Sequence, residues 1–120
     1  MFGIRAQPIG MIRIDAVWMA TAPLDMRAGP DTVLMRVVHV FGAAHPHHAY
    51  VFANRRCNRI KVLVHDGIGI WLAARRLNQG HFIWTHTIEP TTQINPSQLS
   101  ALVMGLPWQK IGHAAIISVI

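Results

Sequence analysis

The 120-residue sequence is short of acidic residues, and this shortage excludes one large class of function. Its five Asp and Glu residues lie at positions 15, 25, 31, 66 and 89. Metal-dependent phosphoryl transfer needs two or three convergent carboxylates, and helix capping and a turn already account for Asp31 and Asp66. We therefore expect no two-metal nuclease site and no catalytic residues, although a one-metal or metal-free chemistry stays open.

The sequence also has a single cysteine, Cys57, which cannot form an internal disulfide. This fits a reducing cytoplasm. No apolar run reaches the ~18 residues that span a bilayer, and the N-terminus lacks a secretory signal pattern. We therefore expect a cytoplasmic protein with no membrane partner. The arginines around Cys57 would lower the pKa of its thiol if their charge outweighed burial.

Basic residues outnumber acidic ones by eleven to five, which gives a net charge of +6 although only 13% of residues are charged. Such an excess points to an anionic partner, above all nucleic acid. The 52% hydrophobic content supports a folded core. We predict one domain at 11–110, a loose lead-in at 1–10 and an apolar tail at 111–120.

Local patterns predict an α+β fold, with a mainly antiparallel sheet of four or five strands and two principal helices. The predicted strands cover 12–20, 50–54, 60–64, 68–74 and a short edge strand at 81–84, while 89–94 is linker-like. A helix over 68–78 is the alternative to the fourth strand. The first helix is capped by Asp31 and closed by Gly42, and the second begins at Asn95 with Pro96 at its first position and Gln98 at its third.

The stretch 50–77 carries six of the eleven basic residues, interleaved with apolar runs. Asp66-Gly67 predicts a two-residue hairpin turn, which places Val62 opposite Trp71 and Ile60 opposite Ala73. The other face of the hairpin then carries Arg59, Lys61 and Arg76. The predicted nucleic-acid-binding residues are Arg27, Arg55, Arg56, Arg59, Lys61, Arg75 and Arg76. An ordinary solvated strand face is the alternative interpretation.

Histidines and tryptophans suggest two further hypotheses. His45, His47, His48 and His65 could supply zinc or copper ligands together with Cys57, although the spacing matches no zinc-finger pattern. Surface histidines are the simpler interpretation, and we expect no cofactor. Trp18 and Trp71 are expected in the core, whereas Trp84 and Trp108 flank turns and are the candidates for base stacking.

Five ordered sequence blocks resemble a known family. They are PLDMRAG at 23–29, FANRR at 52–56, KVLVHDGIGIWL at 61–72, RLNQGHFIW at 76–84 and GLPWQ at 105–109. They resemble the TnpB accessory proteins, the second open reading frame products, of insertion-sequence family sixty-six. The resemblance implies a small bacterial mobile-element protein that assists transposition beside a separate transposase. It assigns no catalytic role to any position of the pattern, which includes Asp25, Met26, Arg27, Asn54, Arg55, Arg56, Lys61, Asp66, Gly67, Trp71 and Arg76.

Three functions remain in competition at this point. The first is a non-catalytic accessory protein that binds element DNA through the basic residues of and around the predicted hairpin. The second is an adaptor that docks on the transposase through the apolar tail and the exposed side of the second helix, and self-association into a homo-oligomer is kept open. The third is a metal-dependent enzyme that uses the histidine-rich turn.

Overall fold

Five β-strands form one mixed sheet in the computed structural model, which describes residues 12–111. The strands are β1 (Ala16–Ala20), β2 (His48–Ala53), β3 (Arg59–His65), β4 (Ile70–Arg76) and β5 (Thr91–Ile94). Two α-helices, α1 (Pro30–Phe41) and α2 (Pro96–Val103), and a 3-10 helix (Trp108–Lys110) complete these elements. The predicted lead-in and the apolar tail from residue 112 onward lie outside the described residues.

The strand order is β4-β3-β2-β1-β5. β1 and β2 are parallel, and every other neighbouring pair is antiparallel. Parallel neighbours need a crossover connection, and α1 supplies it between β1 and β2. The predicted α+β fold with two principal helices and a mainly antiparallel sheet is confirmed, and β4 is a strand rather than the alternative helix.

The sheet is buried on both faces at its centre because α1 covers one face and α2 covers the other. The α1 face packs Val33 and Val37 against Tyr50, Phe52 and Leu63. The α2 face packs a larger set, which includes Val17, Met19, Val51, Val62, Phe82, Trp84, Leu99, Leu102 and Trp108. β2 and β3 are therefore rich in β-branched and aromatic residues, as strands buried on both faces require.

The β3–β4 hairpin has a different register from the predicted one. Val62 pairs with Ala73 and Val64 pairs with Trp71, so the prediction was wrong by two residues. The reason is a four-residue turn, in which the Asp66 Oδ1 atom accepts hydrogen bonds from the backbone N–H groups of Ile68 and Gly69. A shift of two residues keeps every side chain on its predicted face because the side chains of a strand alternate with a period of two.

The helix ends were predicted in part. Gly42 ends α1 with a positive φ of 90°, as predicted, but the residue at the N-cap is Gly29, and Asp31 lies in the first turn without making a cap. Pro30 explains the difference, since a proline is favoured at the first helical position, and the helix therefore starts two residues earlier than predicted. The capping box of α2 is confirmed, because Asn95 and Gln98 exchange side-chain and backbone hydrogen bonds of 2.8 and 2.9 Å.

Two predictions near the C-terminal half were wrong. Residues 81–84 form no strand, and β5 lies in the segment predicted as a linker. Phe82 and Trp84 are instead buried in the core on the α2 face. β5 has a polar sequence, which does not show the pattern of a buried strand. A short edge strand tolerates such a sequence, and β5 pairs with β1 on one side.

Candidate nucleic-acid interface

The turn between β2 and β3 holds two exposed arginines, Arg55 and Arg56, in a fixed loop. The Asn54 Oδ1 atom accepts hydrogen bonds from the backbone N–H groups of Asn58 and Arg59, and its amide donates to the Asn58 Oδ1 atom at 2.7 Å. The turn is tied at its base by a backbone hydrogen bond from Asn54 to Arg59. A side chain that bonds its own loop reduces the entropy that an ordered contact with a ligand would otherwise cost.

A second pair of arginines extends this basic turn onto the sheet. Arg59 and Arg76 are direct cross-strand partners in β3 and β4, so their side chains leave the same face of the hairpin. Both are exposed. Lys61 shares this face, and its Nζ atom donates a 2.6 Å hydrogen bond to the Ala28 carbonyl oxygen. The predicted placement of these three cations on one face is confirmed, and Lys61 is also a structural tie to the start of α1.

The basic turn forms one wall of an open groove of about 540 Å³. The opposite wall is the loop that precedes α1. The groove is lined by Pro23, Leu24, Asp25, Met26, Arg27, Asn54, Arg55, Arg56, Asn58 and Arg59. Four arginines and a single carboxylate therefore line a cleft that is open to solvent, which makes it suitable for an anionic ligand.

Arg27 is less available than its sequence context suggested. Arg27, one of the predicted nucleic-acid contacts, forms an ion pair with Asp25 at 2.7 Å and is therefore not an unpaired cation. Its side chain is 92% exposed. The Arg27 guanidinium and the Arg27 backbone N–H both bond to the Asp25 carboxylate, which lowers the pKa of Asp25 to about 2. The Asp25 charge thus offsets one of the cations at the groove.

Arg75 lies apart from the other predicted contacts. It pairs with Ile60, and strand alternation directs its side chain to the face opposite that of Arg59 and Arg76. It is exposed, as Arg76 is. The two neighbouring arginines of β4 therefore provide the same charge on opposite faces.

The basic residues of the hairpin have no carboxylate partners in the described chain. Residues 12–111 contain two salt bridges, Arg13 with Asp15 and Arg27 with Asp25. Neither includes Arg55, Arg56, Arg59, Lys61, Arg75 or Arg76. We call Arg55, Arg56, Arg59, Lys61 and Arg76 the basic hairpin surface.

The four histidines of the metal hypothesis lie around the start of β2 and the end of β3, at the opposite end of the sheet from Cys57. His45 and His48 have ring centroids 5.3 Å apart, and the His48 Nδ1 atom accepts a hydrogen bond from the Trp18 Nε1–H group at 3.2 Å. Desolvation, aided by the neighbouring His45, lowers the pKa of His48. Between residues 12 and 111, no group of three or more His, Cys, Asp or Glu side chains is arranged to hold a metal ion.

Cys57 occupies the β2–β3 turn with a positive φ of 57°. Burial raises the pKa of its thiol, so the charge of the neighbouring arginines does not outweigh burial. The arginine side chains point into solvent and do not compensate the cost of burying a thiolate.

Three of the four tryptophans differ from the prediction, whereas Trp18 packs partly buried against the core on the α1 face. Trp84 and Trp108 are 6% and 4% exposed, and their Nε1–H groups donate to the carbonyl oxygens of Ala20 and Ile83. Trp71 is 42% exposed because β4 is an edge strand. Base stacking on Trp84 or Trp108 is thus incompatible with this fold.

Sequence reasoning assigned no role to Asn54, Asn58 or Arg36. The two asparagines lie four positions apart on either side of the Arg-Arg-Cys triplet, and this spacing was the available signal for an asparagine-stabilised turn. Arg36 on α1 donates a hydrogen bond to the Pro23 carbonyl oxygen in the loop beside the groove, at 3.3 Å. Nothing in the local sequence links these two segments.

Together, these features define a single α+β domain with a cationic surface at one end of its sheet. None of its helices between residues 12 and 111 has the length and apolar content needed to cross a bilayer.

Comparison with known proteins shows which family the chain belongs to. The chain belongs to the IS66 Orf2 like protein family, whose model matches residues 15–113. It is 36% identical over 95 residues to the uncharacterized protein y4hO of Sinorhizobium fredii, which covers 78% of this chain and 82% of the relative. It is 30% identical over 105 residues to the uncharacterized protein y4jC of the same organism, with 86% and 89% covered. No solved structure matches. Family membership implies an insertion-sequence accessory protein and confirms the resemblance found from the five sequence blocks.

Proposed function

We propose that this accessory protein assists transposition by binding the phosphate backbone of its element's DNA with the basic hairpin surface. The observation that carries the proposal is the set of four exposed arginines, Arg55, Arg56, Arg59 and Arg76, on one turn and one strand face without carboxylate partners in the described chain. Arginine guanidinium groups bind phosphates in a bidentate manner and release condensed counterions, so such a surface gives affinity that depends strongly on salt.

The shape of the surface supports a backbone contact rather than base recognition. Arg59 and Arg76 lie opposite each other on one face of the β3–β4 hairpin, and Arg55 and Arg56 lie on the adjoining turn, so the four cations are on neighbouring exposed segments. Phosphate contacts position a protein on a duplex without reading its sequence. The carboxylate of Asp25 also lines the groove and repels a phosphate that is bound close to it.

The test is fluorescence anisotropy of the purified, nuclease-treated protein with duplex DNA over a salt series. Each lost phosphate contact lowers the salt slope by about 0.9 on duplex DNA. Arg76→Ala is therefore expected to weaken binding and lower the slope by about 0.9, whereas Arg75→Ala removes the same charge from the opposite face and is expected to have a smaller effect. Equal effects of the two variants would contradict the assignment of the surface.

The turn is tested with a double variant. Arg55→Ala together with Arg56→Ala is expected to lower the slope by about 1.8, the sum of two contacts. The control is Arg75→Ala with Lys110→Ala, which removes two exposed charges outside the basic hairpin surface. Unchanged affinity of the Arg55 and Arg56 variant would refute their role, and comparison of element-end with unrelated DNA measures any sequence preference.

An adaptor that docks on the transposase is the second candidate. It is favoured by exposed apolar side chains at Met104 and Leu106, just after α2, and at Met35 and Ile68 on the α1 face. Pull-down of the transposase that survives nuclease treatment, and is lost in a Met104→Ser and Leu106→Ser variant, would support this function. Capture that depends on nucleic acid would instead favour DNA binding.

A further inference from the structure

The outer edge of β4 differs from the other edge of the sheet. β4 has seven residues, contains no proline, and its charges lie only at its C-terminal end, Arg75 and Arg76. Among residues 12–111, no strand pairs with its outer side. β5, at the opposite edge, has four residues and a polar sequence. Short and polar edge strands resist pairing with other chains, whereas a long edge without central charges is a template for an additional strand.

Hydrogen bonds at both ends of the β3–β4 hairpin show which backbone groups of β4 face outward. The Asp66 N–H donates to the Gly69 carbonyl, and the Leu77 N–H donates to the Asn58 carbonyl. In an antiparallel pair, hydrogen-bonded positions alternate with non-bonded ones. The odd-numbered residues of β4 therefore bond to β3. The N–H and C=O groups of the even-numbered residues point away from the sheet, at Ile70, Leu72, Ala74 and Arg76.

We propose that the outer edge of β4 binds β4 of a second copy of this chain, antiparallel, about a twofold axis at Ala73. This register pairs Ile70 with Arg76 of the partner subunit and Leu72 with Ala74 of the partner subunit. All outward-facing groups of both strands are then hydrogen-bonded, and the two five-stranded sheets become one ten-stranded sheet.

The side chains fit this register as well as the backbone does. At the centre, Ala73 meets its own copy, and two methyl groups allow the strands to approach. Trp71 meets Arg75 of the partner subunit at a non-hydrogen-bonded position, where side chains are closest. The indole of Trp71 is exposed and is held by a 2.8 Å hydrogen bond from its Nε1–H group to the Asp66 carboxylate. A guanidinium over an exposed indole is a favourable contact.

Charge and the length of the pairing together select among the twofold registers that β4 allows, since axes at Leu72 or Ala74 pair only five residues of each strand. A twofold axis at Arg75 or Arg76 would place an arginine against its own copy, which is unfavourable. The axis at Ala73 places every arginine of β4 opposite an apolar or aromatic side chain and pairs all seven residues. A self-complementary surface of this kind is what a twofold dimer requires. The proposal does not depend on DNA binding.

Sedimentation velocity of the full chain without DNA tests the proposal first. A single strand pairing buries less area than a standard interface, so we expect weak association. The mass should rise from 13.4 kDa toward twice that value over a series from about 1 µM to about 1 mM, which spans weak to moderate dissociation constants. A monomer throughout would overturn the proposal and leave DNA binding to its own test.

Matched charge variants at Ala73 test the position of the twofold axis. Ala73→Lys and Ala73→Glu each place like charges directly opposite each other in the dimer, so each variant alone should be monomeric. An equimolar mixture should dimerise again, because lysine then meets glutamate. A Lys variant that still dimerises, or a mixture that stays monomeric, would overturn the register.

If either charged variant fails to fold, a crosslinking experiment tests the same interface. Non-hydrogen-bonded partners have Cα atoms about 4.5 Å apart, within the range that a disulfide spans. In a Cys57→Ser background, Ala73→Cys should form a disulfide-linked dimer under mild oxidation. Ser100→Cys, exposed on α2, is the control that should not crosslink. Equal crosslinking of the two variants would refute the interface.

Discussion

Arg59 and Arg76 lie directly opposite each other across β3 and β4, and neither forms a salt bridge with an Asp or Glu of residues 12–111. Like charges at opposed positions of an antiparallel pair lower the stability of a sheet. A phosphate between two guanidinium groups would remove this repulsion and form charge-assisted hydrogen bonds. The Arg59–Arg76 pair therefore lowers the stability of the free protein. Under the proposed function, the same pair stabilises the complex with DNA.

Stability and binding should consequently change in opposite directions at this pair. Arg76→Glu replaces the repulsion with an exposed cross-strand ion pair to Arg59, and we expect a gain of ~0.2–1 kcal/mol in the free energy of unfolding. The same variant should weaken DNA binding. Urea denaturation and fluorescence anisotropy measure the two effects. Arg75→Glu is the control, since its partner Ile60 offers no charge, and an equal gain in stability there would contradict the pairing argument.

Asn54 should be the most sensitive polar residue of the basic turn. Asn54→Ala removes hydrogen bonds to Asn58 and to the backbone of Arg59, and we expect a loss of about 1 kcal/mol in the free energy of unfolding. DNA binding should weaken too, because Arg55 and Arg56 lose their fixed loop. Asn78→Ala, at an exposed position outside the turn, is the control. Identical denaturation and binding curves for both variants would refute the role of Asn54.

The capping box of α2 should contribute measurably to stability. Asn95→Ala removes the side-chain acceptor for the Gln98 backbone N–H, and an N-cap of this type contributes about 1 kcal/mol. Thermal unfolding followed by circular dichroism measures the loss. Ser97→Ala, exposed in the same helix turn, is expected to have little effect. If the two variants melt at the same temperature, the capping box does not stabilise the domain.

Stability should decrease in mild acid because of His48. Desolvation lowers the pKa of His48 below its usual 6.5, so the unfolded chain takes up a proton at a higher pH than the folded chain does. The stabilising contribution of neutral His48 to folding is fully present above pH 6.5. It is lost as the pH falls from there through the lower pKa of the folded state. Protonation of His48 also removes the lone pair that accepts the Trp18 N–H group. The neighbouring His45 and His47 repel a positive charge on His48, whereas Asp15 attracts it.

Guanidinium denaturation between about pH 8 and about pH 5 measures this dependence, the range in which histidines titrate. His48→Gln keeps an acceptor and cannot be protonated, so its stability should depend less on pH than that of the wild type. His86→Gln, which replaces an exposed histidine, should retain the wild-type dependence. Parallel profiles for the wild type and His48→Gln would exclude His48 as the source.

Local sequence patterns predicted most of the architecture and one full face of the site. The alternation in β3 and β4 placed Arg59, Lys61 and Arg76 together even though the hairpin register was wrong, since an error of two residues does not change a face. The capping box of α2 was readable because it depends on residues within four positions of each other. The chemistry of the hairpin was therefore predictable from short-range information.

Long-range relationships were not predictable. Trp84 and Trp108 flank turns in the sequence, but their segments pack on the α2 face, and this burial depends on where the 82–84 segment crosses the sheet. The ion pair of Arg27 was readable in principle from Asp25 two positions earlier, but only the folded loop brings both to the groove. Local patterns carry no information on such packing.

The sequence by itself determined the sign of the surface charge, the scarcity of carboxylates and the family, because composition and ordered motifs do not depend on the fold. Only the tertiary structure decided that β4 is an outer strand of the sheet formed by residues 12–111 and that a four-residue turn precedes it. The physical reason is that strand order and turn length arise from contacts between distant segments. The outer edge of β4 and the groove beside the basic hairpin surface form only once those segments have packed.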